Sequence, residues 1–405
     1  MTRNIAACVY ILILFPVYSA MADTNAEIEQ LKQEVSELKA SLPSNKAANN
    51  SFNPAISLIL MGSYSDFSQD PAQYSLSGIT LAEETGPGVQ GFSLAESELV
   101  MSANVDDYFF SRFTLALTPE NEVEIEEAFV QTLSLPAGLT FQFGRFYSEL
   151  GYLNTKHAHQ WDFVDQPLSY RAFLGNQYND DGIQLRWLAT TDIYLELGGE
   201  LFRGDSFPAG GAANEGKGSY TLFIKTGGDV GTSNSWLASA SMLQAESDER
   251  ATDDDASLFT GNTQLLNADL LWKWAPEGNP YDTNISALIG IMQSTETGDY
   301  NFSNNYDEVR YGAYAQVLYQ FIHGWRGGFR YDSIYSGSPN SSFTGTVVDP
   351  VGHKPSRASI MFDYSHSEYS RIRLQYNYDL SSPEVDHQWF LQYTMSLGAH
   401  GAHRY

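Results

Sequence analysis

From Trp389 onward every second residue is Trp389, Leu391, Tyr393, Met395, Leu397, Ala399, Gly401, His403 and Tyr405. The set between them (Phe390, Gln392, Thr394, Ser396, Gly398, His400) is mostly small or polar. Alternation of period two predicts a β-strand with one apolar and one wet face. The same signal recurs upstream. Val309, Tyr311, Ala313, Ala315, Val317, Tyr319 and Phe321 alternate with Arg310, Gly312, Tyr314, Gln316 and Gln320. Ile372, Leu374, Tyr376 and Tyr378 alternate with Arg371, Arg373, Gln375, Asn377 and Asp379. Shorter runs lie at 183–187, 193–201 and 266–274.

With weaker segments included, strand centres fall near residues 59, 98, 112, 128, 141, 185, 197, 222, 239, 268, 288, 315, 328, 361, 374 and 393. About sixteen strands result, the even number that places both termini of a bacterial barrel in the periplasm. The strand near 123–133 fits worst, because Glu127 and Gln131 fall on its apolar parity, and a bulge there is the expectation. Connections sort into two classes. Short turns are expected at 104–108, 135–138, 189–192, 227–234, 275–284, 322–324 and 365–370. Long loops are expected at 66–90, 146–181, 203–218, 244–261, 293–308 and 332–356, with two short outer connections near 118–122 and 381–387. Short turns inside and long loops outside are the habit of outer-membrane barrels, and so is an alternating last strand that closes on an aromatic residue.

Which face is wet decides between a soluble and a membrane barrel. A soluble barrel packs its apolar face inward, but sixteen strands enclose a lumen too wide to fill with side chains. The polar face is therefore expected to surround water and the apolar face to meet lipid. Aromatic content of 14%, with 25 Tyr and 33 Gly, suits interfacial girdles and twisted strands; Trp325 and Phe321 flank a short turn, where such a girdle belongs. No run of eighteen apolar residues follows the N-terminus, so any spanning structure is a closed sheet. The net charge of −27 argues against a nucleic-acid partner and leaves outer loops suited to bridging by divalent cations.

Arg3, the apolar stretch 5–18 and Ala20-Met21-Ala22 predict a signal peptide over 1–22, rather than a membrane anchor. It would take with it the single cysteine, Cys8, so no disulfide or thiolate metal site is expected in the mature chain. Ile28, Leu31, Val35, Leu38 and Leu42 set a heptad within a helix at 23–42, followed by a polar linker at 43–54 and the barrel at 55–405. Two heptads are marginal alone. Residues 28–42 would either join copies into a homotrimer or lie as a single helix against the barrel mouth or a periplasmic partner.

Inward positions carry charge unevenly. Arg310, Arg326, Arg330, Arg371 and Arg373 form one arc, and Glu96, Glu98, Glu124, Glu126, Glu196 and Glu200 an opposing one; Arg112 and Arg186 are further lumen candidates. Opposed arcs set a transverse field that favours polar or charged solutes, unless the residues merely pair along the wall. The loop at 146–181 is long and aromatic, and is expected to fold inward as a constriction. Its candidate residues are Lys156, His157, His159, Trp161, Asp162, Asp165, Tyr170 and Arg171. His157-x-His159 with Asp162 or Asp165 is a weak metal pattern; hydrogen bonding of the loop to the wall is the favoured reading. Asp253-Asp254-Asp255 reads as a solvated acidic loop rather than a calcium site. No cofactor is expected. An outer-membrane hydrolase would need a nucleophile beside a histidine at the rim, and no nucleophile motif marks one; an adhesin or structural barrel is the third class.

One resemblance spans essentially the whole mature chain. The stretches 91–98 (GFSLAESE), 137–139, 144–146, 151–154 and 157–167 (HAHQWDFVDQP), with Gly398-Ala399-His400, resemble the LbtU-type siderophore porins of proteobacteria. The resemblance implies an outer-membrane barrel without a TonB-type plug, taking up a ferric siderophore; a general diffusion porin is the alternative. About thirty residues between Asp23 and the first strand are too few for a plug domain.

Overall fold

The computed structural model describes residues 54–82, 85–119, 122–211, 217–252 and 257–398. The signal peptide, the heptad helix and the linker up to residue 53 lie outside the described residues, as do Asp253, Asp254, Asp255 and residues 399–405. The strands are β1 (Ala55–Phe67), β2 in two segments (Gly91–Leu94 and Ser97–Asn104), β3 (Phe109–Leu117), β4 (Val123–Thr132), β5 (Leu139–Tyr147), β6 (Asn179–Leu188), β7 (Tyr194–Phe202) and β8 (Ser219–Val230). They continue as β9 (Asn234–Ala251), β10 (Leu258–Trp274), β11 (Asn284–Tyr300), β12 (Ser303–Ile322), β13 (Trp325–Tyr335), β14 (Ser356–Ser367), β15 (Ser370–Leu380) and β16 (Asp386–Gly398). Each pairs antiparallel with the next, and β16 returns to β1, with Ser57 opposite Gly398 and Phe67 opposite Gln388. The result is a closed sixteen-strand antiparallel barrel. Every strand centre read from the periodicity falls inside one of these strands.

The outer wall is apolar. Ile360, Phe362, Ile372, Leu374, Trp389, Leu391 and Tyr393 are exposed, while Gln375, Asn377, Gln388 and Gln392 on the same strands are buried inward. Aromatic rings gather near both strand ends: Trp187, Tyr319, Phe321 and Trp325 toward the short turns, Tyr64, Tyr311, Tyr335 and Trp389 toward the opposite end. The poor fit of β4 resolves as a bulge. Thr114 pairs with Glu127 and Leu115 with Ile125, so Glu126 is the extra residue. One inserted residue reverses the parity, which turns both Glu126 and Glu127 inward.

Two expectations need correction. The segments 244–261 and 293–308 are not long loops: β9 and β10 run for 18 and 17 residues, and β11 and β12 for 17 and 20. Polar β-branched residues such as Thr260, Thr263, Thr295 and Thr297 carry the ladder past the apolar band, where hydrophobic alternation no longer marks it. Second, the inner face is not uniformly polar. Leu243, Leu265, Leu288, Met292, Tyr314 and Ile334 are buried facing inward. The connection between β5 and β6 also holds a short helix. It is α1 (Leu168–Leu174), entered from Pro167 and ended by Gly175 at φ 58°, the left-handed stop that glycine adopts at least cost. Seven residues are too few to show a helical period.

Candidate functional site

The connection from β5 to β6 runs through the interior. At its base Asn154 donates to Ser148 O (2.7 Å) and Tyr178 O (2.8 Å) and accepts from Tyr178 N, so entry and exit are tied together. Glu200 receives the entry, accepting from Glu149 N at 3.0 Å. The loop's Leu150, Leu153, Leu168, Tyr170, Phe173 and Leu174 cover the apolar patch of β9–β13. This contact explains the buried leucines and Tyr314 on an otherwise polar wall: removing such side chains from water drives the loop inward. Gly312 lets α1 approach, because a Cβ there would stand 2.5 Å from Ser169 Cβ. Asp269 accepts from Tyr152 N (2.9 Å) and Tyr314 Oη (2.8 Å) beside the same patch.

Toward β13–β15 the loop is held by arginines. Asp165 accepts from Arg330 Nη2 (2.6 Å) and Arg357 Nη1 (2.8 Å), with Gln375 and Asn377 each donating at 2.9 Å. Arg171 lies 3.6 Å from the same carboxylate. Burial alone would raise the Asp165 carboxyl, but the guanidinium groups of Arg357, Arg330 and Arg171 hold it well below the usual carboxylate range. Four guanidinium groups also donate to main-chain carbonyls of the loop: Arg371 to His159 O (2.8 Å), Arg373 to Trp161 O (2.7 Å), Arg330 to Asp165 O (2.6 Å) and Arg357 to Gln166 O (2.6 Å). Arg326 bridges Asp363 (2.6 Å) and Asp162 (3.2 Å).

Toward β2–β4 the polarity is reversed. His157 Nδ1 sits 3.1 Å from Glu126 and 3.4 Å from Glu98, while its Nε2 is 3.0 Å from Glu127; Arg112 reaches Glu127 at 2.9 Å. His159 Nδ1 meets Glu98 at 2.6 Å, and the two imidazoles stack at 5.7 Å. Burial disfavours a charged ring, but Glu98 and Glu127 outweigh it and hold His157 well above the ordinary histidine value. Ligand atoms of Glu98, Glu126 and His157 lie within 4.8 Å of one another. A carboxylate faces each ring nitrogen and Arg112 Nη2 lies 3.2 Å from Nε2, an arrangement that clamps the loop to the wall.

The other candidates fall into place around these contacts. Arg310 is away from the loop and pairs with Glu296 at 2.7 Å, which also takes Arg250 at 2.9 Å. Arg186 is 3.7 Å from Glu149 and donates to Gln131 at 2.9 Å. Glu96 stands beside Glu126; Glu124 is exposed and Glu196 half-buried on β7, opposite Lys225. Trp161 Nε1 donates to Lys156 O at 2.7 Å. Sequence reasoning missed Arg357, Asp332, Lys225 and Glu149. Arg357 was findable: it leads the inward set Arg357, Ser359, Met361, Asp363 on β14.

A closed sixteen-strand wall, apolar outside, with the connection between β5 and β6 strapped across its lumen, defines a porin-type barrel. Comparisons with solved structures agree on the fold. The chain is similar to a loop L8 deletion mutant of OmpT from Vibrio cholerae (TM-score 0.55, 10% identity, covering 86% of this chain and 100% of that one). It is equally similar to an anion-selective porin from Comamonas acidovorans (0.54, 10%, 85% and 99%) and to the outer-membrane channel DcaP of Acinetobacter baumannii (0.53, 11%, 85% and 97%). In sequence, an uncharacterized protein of Aquifex aeolicus (strain VF5) is 29% identical over 333 residues, 78% of this chain and 70% of the relative. No family model matches the chain.

Proposed function

We propose that the protein is an outer-membrane channel through which a small polar or charged solute passes a lumen narrowed by residues 146–181. The observation that carries this reading is the strap itself. A long connection is held across the interior by guanidinium groups on one side and carboxylates on the other, inside a wall whose outer face is fit only for lipid. The porin structures that share the fold support an outer-membrane location, and one of them is described as a trimer, in keeping with assembly through residues 28–42. Uptake of a ferric siderophore is the specific form of the reading, supported by the sequence motifs of the loop. Insertion of the purified chain into planar bilayers tests the channel: stepwise conductance that rises when the loop is excised is the expected result. A sealed bilayer, or hydrolysis of lipid or peptide by the purified barrel, would replace the proposal. Growth of a deletion strain on defined iron sources tests the solute.

A further inference from the structure

The connection from β1 to β2 also turns inward, at the mouth opposite the short turns. Leu76, Ile79 and Leu81 are 1%, 4% and 3% exposed, and they belong to the same apolar cluster as Leu150, Phe173, Leu174 and Tyr178 of the strap. Printed on the rim, its contacts lie far apart. Ser77 N donates to Ser381 O (3.1 Å) just past β15, and Tyr74 Oη meets Ser381 Oγ at 3.0 Å. Thr80 Oγ1 lies 3.2 Å from Tyr300 Oη, the last residue of β11. Gly78 is pressed against the connection from β13 to β14, where a Cβ would stand 2.8 Å from Pro350 Cβ. Ala82 rests on the stop of α1, since a Cβ at Gly175 would stand 2.9 Å from Ala82 Cβ. A segment that leaves β1 and reaches β11, β15 and the strap lies across the opening.

Its stem is pinned on one side only. Asp386 on β16 accepts from Ser68 N, Ser68 Oγ and Gln69 N, each at 2.9 Å. On the returning arm Gln90 accepts from Phe67 N and donates to Asp66, both at 2.9 Å. The far seat is itself firm: His353 Nε2 lies 2.8 Å from Leu380 O, tying the Pro350 connection to β15. What joins the reaching part to that seat differs from what holds the strap. Asp70 is the one charged residue among 68–82, and it accepts from Ala72 N (3.1 Å) within the segment itself. The seat is therefore apolar burial and neutral hydrogen bonds, whereas the strap beneath is gripped by guanidinium and carboxylate groups. Of two stacked segments, the one without charged anchors opens at lower cost.

We propose that residues 68–82 form a lid, hinged at Ser68 and Asp386, that shuts the long-loop mouth and lifts as a unit while the strap stays in place. As a gate it rests on the channel reading; as a seated lid it does not. The strap sets the size of each conductance step, and the lid sets the fraction of time the pore is open.

A cysteine bridge tests the gate. Ser77→Cys with Ser381→Cys places thiols where the main chains touch at 3.1 Å, within reach of a disulfide. In planar bilayers the oxidised chain should stay shut, and reductant should restore openings of native size. Ile79→Asp, which sets a carboxylate among leucines, should lengthen the open time severalfold without changing the step. Heat-modifiable gel mobility verifies that each barrel is folded; should Ile79→Asp fail to fold, Ile79→Ser is read instead. An oxidised chain that conducts like the reduced one overturns the proposal.

Labelling with a bulky sulfonated thiol reagent tests the lid without conduction. Thr80→Cys, buried under the lid, should react severalfold more slowly than Ser75→Cys on its exposed side, and Ile79→Asp should close that gap. Equal rates in the native background, or a gap that Ile79→Asp leaves as wide, overturn the proposal. A barrel that shows the labelling pattern and never conducts in any variant overturns the channel reading and leaves the lid standing.

Discussion

Asp165 and Arg357 meet at 2.8 Å across 192 residues of sequence. The carboxylate belongs to a loop and the guanidinium to the wall of β14, and both are buried. A buried pair of this kind adds little by forming, yet removing one partner strands the other charge in a low dielectric. Asp165→Asn should therefore weaken the hold on the loop by about 3 kcal/mol or more while the ladders of the barrel persist. Limited proteolysis within 146–181 and a larger single-channel conductance are the readouts; an unchanged conductance with an intact loop would remove this anchor from the account.

The two anchors respond to pH in opposite senses. His157 has a folded value raised above its unfolded one, so its contribution is complete below about pH 6.5 and is lost as pH rises through the raised value. Asp165 has a depressed folded value, so its contribution is complete above about pH 3.9 and is lost only as pH falls through that lower value. Alkalinisation should loosen the loop first, from the β2–β4 side. Conductance measured against pH should rise in alkali for the native chain. His157→Gln should start high and show no such rise.

Gly312 and Gly62 make a matched pair. A Cβ at Gly312 meets Ser169, whereas one at Gly62 meets nothing within 4 Å. Gly312→Val should push α1 off the wall, enlarging the conductance without preventing barrel formation, and Gly62→Ala should leave conductance as it was. Equal behaviour of the two would show that α1 does not seat against β12.

Leu374 stands mid-strand on the outer face, 46% exposed, between Phe362 and Leu391. Leu374→Arg should cost about 2–4 kcal/mol in a bilayer, read as a lower urea midpoint for folding into lipid vesicles. Arginine belongs at the neighbouring inward position, where Arg373 already stands.

The barrel was legible because burial on one face only imposes a period of two, and that signal survives in Leu374 or Trp389 without any knowledge of partners. The ends of β9–β12 were not, since beyond the apolar band a ladder needs no hydrophobic residue to persist. The bulge at Glu126 announced itself as a parity conflict at Glu127 and Gln131. The loop was marked by its length and aromatic content, but its partners were hidden. Nothing local ties Asp165 to Arg357 or His157 to Glu127; only the closed sheet brings them together.

The arginines of β13–β15 grasp carbonyl oxygens, which any amino acid supplies. Apart from His159, Asp162 and Asp165, side chains along residues 159–166 can thus be exchanged by mutation without unfastening that part of the segment. The barrel keeps one mechanical design while its taste for cargo is left open to evolutionary revision.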